Sequence, residues 1–352
     1  MSFRRRSLAD TLAEKKALLE RWLQTAIELE LATIPPYLIA LLSIKLPGNR
    51  EAAELIRSVM IEEMLHLALV ANVLNAIGGK PRIDQDTIPR YPLTLTFEGK
   101  AFSDRQFPIN LEAFSSAAIE TFMKIEQPEQ PRRFTTFWAQ DLHVPALTIG
   151  EFYHRILDVL AELDRDHPGS LFTGDPKRQL LKDYYWSSGG EIIAVSDLAS
   201  ATAALNIVIA QGEGAWPKPD GNAAAFTQEF DMGHYYRFSE IFYGSRYQRT
   251  DDPAGPPSGP KIVVDYAAVY PVKKNPDRKD YRDGSALNKL NDAFNLRYTD
   301  MLMQLHEALN GTPQALYTAI MNGMHGLTPV AHDMMKLPLD SDPKAVGCPT
   351  FE

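Results

Sequence analysis

The sequence predicts a mainly α-helical protein, a four-helix bundle elaborated by long insertions and extra C-terminal helices. Three observations predict it. Two long segments near the N-terminus carry apolar residues at a helical period, joined by a turn at Leu46-Pro-Gly-Asn49. Acids and histidines lie inside those apolar stripes, where a charge is costly unless it is paired, hydrogen-bonded or metal-bound. Pro-, Gly- and charge-rich stretches punctuate the remaining helical segments. The 352 residues read as a single elaborated domain, long enough to bury a substantial core.

The first bundle hairpin covers about 12–80. Leu19, Trp22, Leu23, Ala26, Ile27, Leu31, Ile34, Tyr37, Leu38 and Leu41 recur at helical spacing, and Glu30 falls within that stripe while Glu28 falls outside it. In the second helix Ile56, Val59, Met60, Glu63, His66, Leu67, Val70 and Val73 share a face, and Gly78-Gly79 ends it. Glu62 is off-centre on that face, a supporting group or a surface acid. Glu30 lies about 16 residues before the turn and Glu63 about 15 after it, so at about 1.5 Å per residue both reach a similar depth. Two acids and a histidine are therefore expected to meet inside the bundle, as metal ligands or as a buried polar network without metal. Pro35-Pro36 removes two helix donors just after Glu30 and is expected to kink or open that helix.

Residues 81–190 form a mixed insertion with strand-like pieces at Pro92–Phe97 and helices near 111–126 and 149–163. The second hairpin spans roughly 190–247. An Ala-rich helical run from Asp197 to Ala215 ends near Glu213, and a helix from about Asn222 carries Asp231 and His234 on one face. An irregular excursion covers 250–284, and helices resume over 285–336.

An acid three residues before a histidine occurs four times, where about one is expected by chance, so spacing alone does not identify a site. Glu151/His154 opens a helix through the capping box Thr148-Ile-Gly-Glu151, and Asp164/His167 lies at a solvated turn. Glu63/His66 and Asp231/His234 remain, on apolar faces. With Glu30 and Glu213 they make four carboxylates and two imidazoles, the set used by four-helix carboxylate-bridged dimetal proteins. His306, His325 and His332 have no acid at that spacing and read as ordinary core or surface histidines.

The net charge of −9 gives no global electrostatic support for a nucleic-acid partner. The single cysteine, Cys348, excludes disulfides within the chain and thiolate metal chemistry. No uncharged apolar run reaches ~18 residues, so no membrane span is expected, and Arg4-Arg5-Arg6 lacks a following apolar stretch for a signal peptide. A cytoplasmic protein is the resulting expectation.

Five motifs, Glu28-Leu-Glu-Leu-Ala-Thr-Ile-Pro-Pro-Tyr37, Glu62-Glu-Met-Leu-His66, Thr148-Ile-Gly-Glu-Phe-Tyr153, Gln211-Gly-Glu-Gly214 and His234-Tyr-Tyr-Arg-Phe-Ser-Glu240, resemble the ferritin-like family that includes the iminophenylpyruvate dimer synthases of bisindole biosynthesis. The resemblance covers most of the chain and corresponds to the ferritin-like part of those longer synthases. It implies a ferritin-like bundle and metal roles for Glu30, Glu63, His66, Glu213 and His234; Asp231 is added on spacing. Oxygen and nitrogen donors without sulfur suit two iron ions, with manganese possible. The expected activity is that of a non-haem di-iron oxidase or oxygenase, using O2 on a small, amino-acid-derived metabolite in secondary metabolism. The alternative is a metal-free or iron-handling scaffold or partner subunit without its own organic substrate. A homodimer is possible, since outer helix faces in this class often pair.

Overall fold

A computed structural model describes residues 8–94, 96–97, 100–101, 107–127, 149–185, 189–213, 232–252 and 254–352. Helix α1, Leu8–Ser43, and helix α2, Arg50–Ala76, form the hairpin expected from the sequence. Gly78, at φ 87°, takes the left-handed conformation that a side chain resists, and Gly79 N–H closes back on the Leu74 carbonyl at 2.9 Å. Of the 27 residues of α2, 21 are buried. A helix buried on nearly every side must have neighbours on both faces.

Those neighbours follow along the chain. Helix α3 is Ser116–Ile125, α4 is Ile149–Asp166 and α5 is Leu198–Val208, continued by a π-helical turn, Ile209–Glu213. Helix α6 is His234–Tyr243. On one side of the hairpin α4 packs on α1, α5 packs on α2 and on α4, and α6 packs on both α2 and α3. On the other side lie α7, Ala286–Leu309, the short α8, Ala315–Thr318, a second π-helical turn, Ala319–Met324, and α9, Ala331's helix His325–Met335. Helix α9 touches α1 and α7 touches α2. The hairpin is thus the shared wall between a bundle and a C-terminal helical layer. Helix α4, assigned from sequence to the insertion, is a bundle member.

Strand structure among the described residues is slight. Thr96–Phe97 pairs with Lys100–Ala101, and Leu93 bridges Ile109. The buried Asn72 takes both groups of its amide to backbone partners, donating to the Leu180 and Ile193 carbonyls and accepting from Leu180 N–H at 2.7 Å. That ties the irregular segment before α5 to α2.

Two expectations need correction. Helix α1 runs unbroken through Pro35 and Pro36. Pro36 leaves the carbonyl of Ala32, four residues back, without its helical donor, and the Tyr91 hydroxyl donates to that carbonyl at 2.7 Å instead. An outside donor replaces the missing bond, so the helix need not open there. Second, His234 does not lie within a helix running on from about residue 222: α6 begins at His234, and the stretch 214–231 with Asp231 lies outside the described residues. Gly233 is its N-cap in extended conformation, at ψ 156°, so His234 is the first helical residue and the three-residue spacing to Asp231 has no helical meaning. Helices α1 and α2 are by length and composition alone apolar enough to cross a membrane, but 89% of each apolar window is buried inside the protein.

Replacing Tyr91 with Phe is expected to destabilise the fold by about 1–2 kcal/mol in urea unfolding, because a half-buried carbonyl loses its donor. An unchanged midpoint would show that the Ala32 carbonyl does not depend on Tyr91.

Candidate metal centre

Glu30 on α1, Glu63 and His66 on α2, Glu126 immediately after α3 and His234 at the start of α6 converge inside the protein, none more than 5% exposed. The helical period of α1 and α2 turns Glu30, Glu63 and His66 inward at the same depth, as the equal distances from the turn require. Helix α3 delivers Glu126 because Ile119 and Phe122, seven and four residues earlier, are buried along the same line. His234 Nδ1 lies 2.8 Å from Glu63 Oε1 and 3.4 Å from Glu126 Oε2. His66 Nδ1 lies 3.5 Å from Glu30 Oε2 and 4.0 Å from Glu63 Oε1. The two imidazole rings stack with centroids 5.3 Å apart.

The outer groups orient these side chains. His66 Nε2 meets Gln211 Oε1 at 3.0 Å, and Gln211 donates onward to the Gly189 carbonyl at 2.6 Å. His234 Nε2 meets Glu62 Oε2 at 2.9 Å. Each ring therefore has Nε2 engaged and Nδ1 turned toward the carboxylates, the arrangement by which a second partner fixes which nitrogen faces a metal. Tyr153 donates its hydroxyl to Glu30 and Tyr37 donates its hydroxyl to Glu126. The Thr33 hydroxyl lies 2.8 Å from Glu63 Oε2 and 2.9 Å from the Glu30 carbonyl. Glu62 is itself anchored by Arg237, 3.0 Å away, and both are fully buried. The remaining Arg237 donors reach the Ser58 hydroxyl and the Met232 carbonyl.

Burial and crowding drive the electrostatics. Burial pushes the Glu63 carboxyl well above its ordinary value, and the charges of Glu126 and Glu30 push it the same way; His234 only partly offsets them. Burial also opposes charge on Glu30, but its contacts with His66, Glu63 and Tyr153 outweigh that and hold it below the usual carboxylate range. For His234 burial disfavours the cation, yet the neighbouring Glu126, Glu62 and Glu63 raise it well above an ordinary histidine. Burial, then the Glu126 charge, raises Tyr37. Three mutually repelling carboxylates buried together call for a compensating positive charge.

A metal ion fits that requirement. His234 Nδ1 is buried and has no hydrogen-bond partner among the described residues, for Glu63 Oε1, though close, is out of hydrogen-bonding geometry. One ligand atom each from Glu63, His66 and His234 lies within 4.8 Å of the others, the spread of a site able to close around an ion. A pocket of about 350 Å³, its mouth included, adjoins the cluster; Leu29, Ile149 and Val208 form its apolar wall and Gly212 its edge.

Of the residues singled out from sequence, Glu30, Glu63, His66 and His234 are brought together. Glu213 closes the π-helical turn that also presents Gln211 and Gly212, but its side chain and all of Asp231 lie outside the described residues. Sequence reasoning missed Glu126. The signal was present, an acid continuing the Ile119/Phe122 line, but it falls one residue past the helix end and reads there as an ordinary surface acid. Glu62 proves to be the supporting group rather than the surface one. Cations of the 250–284 excursion are engaged in ion pairs: Lys273 with Asp280, Lys274 with Glu112 and Arg278 with Asp283 and Asp292. His306 accepts from Ile83 N–H through Nδ1 at 3.2 Å, a structural role.

The family model named Ferritin-like matches residues 23–243, the stretch that holds the whole cluster. Dichlorochromopyrrolate synthase of Lentzea aerocolonigenes is 25% identical over 325 residues, covering 83% of this chain and 29% of that protein. The chain thus spans less than a third of the length of this relative. The crystal structure of a ferritin like protein from Caulobacter vibrioides superposes with a TM-score of 0.60 at 22% identity, over 94% of this chain and 97% of that one. At that identity the likeness concerns the fold alone.

Glu62→Gln removes the counter-charge of the buried Arg237, and a fall in unfolding free energy of about 3–5 kcal/mol is expected in urea titration. Pairing it with Arg237→Met is expected to recover most of the loss, since no buried charge is then unmatched. A single variant as stable as the parent contradicts this account of the pair.

Proposed function

The chain belongs to the ferritin-like family, and we propose that it is an O2-dependent oxidoreductase whose paired iron ions are held by Glu30, Glu63, His66, Glu126 and His234, with Glu213 completing the set. The observation that carries this reading is the buried convergence of Glu63 and Glu126 on a His234 nitrogen that has no hydrogen-bond partner among the described residues, with Glu30 on the neighbouring His66. Donors of oxygen and nitrogen without sulfur favour iron, with manganese as the other fit. When bound, such a pair supplies the electrons that reduce O2 and an open coordination position beside a substrate.

The chain's own residues supply the rest. Tyr153 and Tyr37 hold one oxygen each of Glu30 and Glu126, leaving the other oxygen of each facing the imidazoles. Gln211 and Glu62 keep the two Nδ1 atoms pointing inward. Leu29, Ile149 and Val208 give the adjoining pocket an apolar wall beside the cluster. Ferroxidation alone needs no such walled space, which favours an organic substrate over an iron-handling role. A biosynthetic relative, the dichlorochromopyrrolate synthase, supports a substrate from secondary metabolism, and an amino-acid-derived one is our assignment. O2 and that metabolite are the proposed partners.

Protein expressed with iron supplementation is expected to carry close to two irons per chain by mass spectrometry, and a Glu63→Ala/His66→Ala double variant to lose most of them. Protein loaded anaerobically with iron(II) is expected to consume O2 beyond a metal-free control. Glu126→Ala separates this donor set from one built only on the hairpin: it is expected to lower iron content, whereas full retention removes Glu126 from the site. A well-folded parent without metal would sink the reading and leave a helical scaffold.

A further inference from the structure

A second cavity lies on the opposite face of the α1–α2 hairpin, and we propose that it binds a neutral, largely apolar small molecule with one hydrogen-bonding oxygen that meets the Tyr298 hydroxyl. Its open space is about 50 Å³, several times what one water needs. Leu31 and Pro35 of α1, Met64 of α2 and Met301 of α7 are among its walls, and the π-helical turn closes one side with Met324. Methionines adapt to irregular apolar shapes at low cost.

Three observations make this a built site rather than loose packing. The first is Tyr298. It is 3% exposed and its hydroxyl has no hydrogen-bond partner among the described residues, an unsatisfied buried donor. A trapped water is a poor remedy, because a buried water needs two to four polar partners and this lining is almost wholly apolar. The other tyrosine in the wall, Tyr185, already meets the Ile61 carbonyl at 3.3 Å. A ligand with one oxygen in an apolar body satisfies Tyr298 and fills the space.

The second is the way the C-terminal segment closes the cavity. Phe351 holds a left-handed backbone at φ 57°, a conformation that side-chain-bearing residues resist, and its ring packs on Tyr298 with centroids 5.0 Å apart. Thr350 beside it is pinned by Asn291 and Asn295 of α7, at 3.0 and 2.9 Å. The third is Gly323. A Cβ there would stand 2.7 Å from Met301 Cβ, so glycine is what lets the π-helical turn lie against α7 at the cavity wall. Strain and close approach both converge on the same space.

The position matters for the rest of the molecule. Leu31 follows Glu30 and Met64 follows Glu63, so an occupant packs on the outer faces of the two helices that carry the acids. Binding itself does not require the metal-centre reading to hold.

The test uses full-length, metal-free protein and two probes of matched shape, phenol and toluene, by isothermal titration calorimetry. The parent is expected to bind both, phenol more tightly. Tyr298→Phe is expected to weaken phenol by roughly three- to tenfold and leave toluene unchanged. Ala68→Leu fills the cavity and is expected to abolish both; Ala319→Met is the second filling variant if the first fails to fold. No binding to the parent at millimolar probe overturns the proposal, as does undiminished binding in a folded, filled variant. A phenol preference that survives Tyr298→Phe overturns the assignment of Tyr298. None of these outcomes bears on iron content or O2 consumption.

Discussion

Three buried carboxylates set the terms for the rest of this molecule. Glu30, Glu63 and Glu126 repel one another, and burial adds to the cost of charging Glu63. The surroundings are arranged to absorb that cost. Tyrosine hydroxyls take one oxygen from Glu30 and one from Glu126, Thr33 lies against Glu63, and two imidazoles stand among them. What remains is the Nδ1 of His234, buried without a hydrogen-bond partner among the described residues.

The hairpin that carries the cluster is buried on both sides, and this explains its composition. A helix with one solvated face alternates polar and apolar stripes, but α2 has no such face along most of its length. From Ser58 onward its polar residues are therefore not surface residues. Glu62 meets His234 and Arg237, Asn72 meets the chain before α5, and Asn75 reaches the last carbonyl of α7 at 2.8 Å. Each is a specific joint between α2 and a different neighbour. The C-terminal layer supplies the outer wall, and the space left between it and the hairpin forms the apolar cavity.

Helix α1 shows how a local rule can be overridden at a distance. Pro35 and Pro36 ought to disturb the helix next to Glu30. The missing donor is replaced from a loop more than fifty residues away, by Tyr91. The adjoining wall of the cavity includes Pro35 itself, so the same pair of prolines serves helix geometry on one side and an apolar lining on the other.

By itself the sequence determined the mainly helical class, the first hairpin and the inward facing of Glu30, Glu63 and His66, because helical periodicity and distance from a turn are local quantities. It also marked His234, through an acid spacing that has no helical basis, since Gly233 caps the helix between the two residues. Only the tertiary structure decided that Glu126 joins the cluster, that Glu62 and Arg237 brace His234 from behind, and that α4 belongs to the bundle. These depend on contacts between segments far apart in the chain, where an acid at a helix end or beside another acid looks like any solvated residue. Whether it is buried is settled by what packs over it, and that is a property of the whole fold.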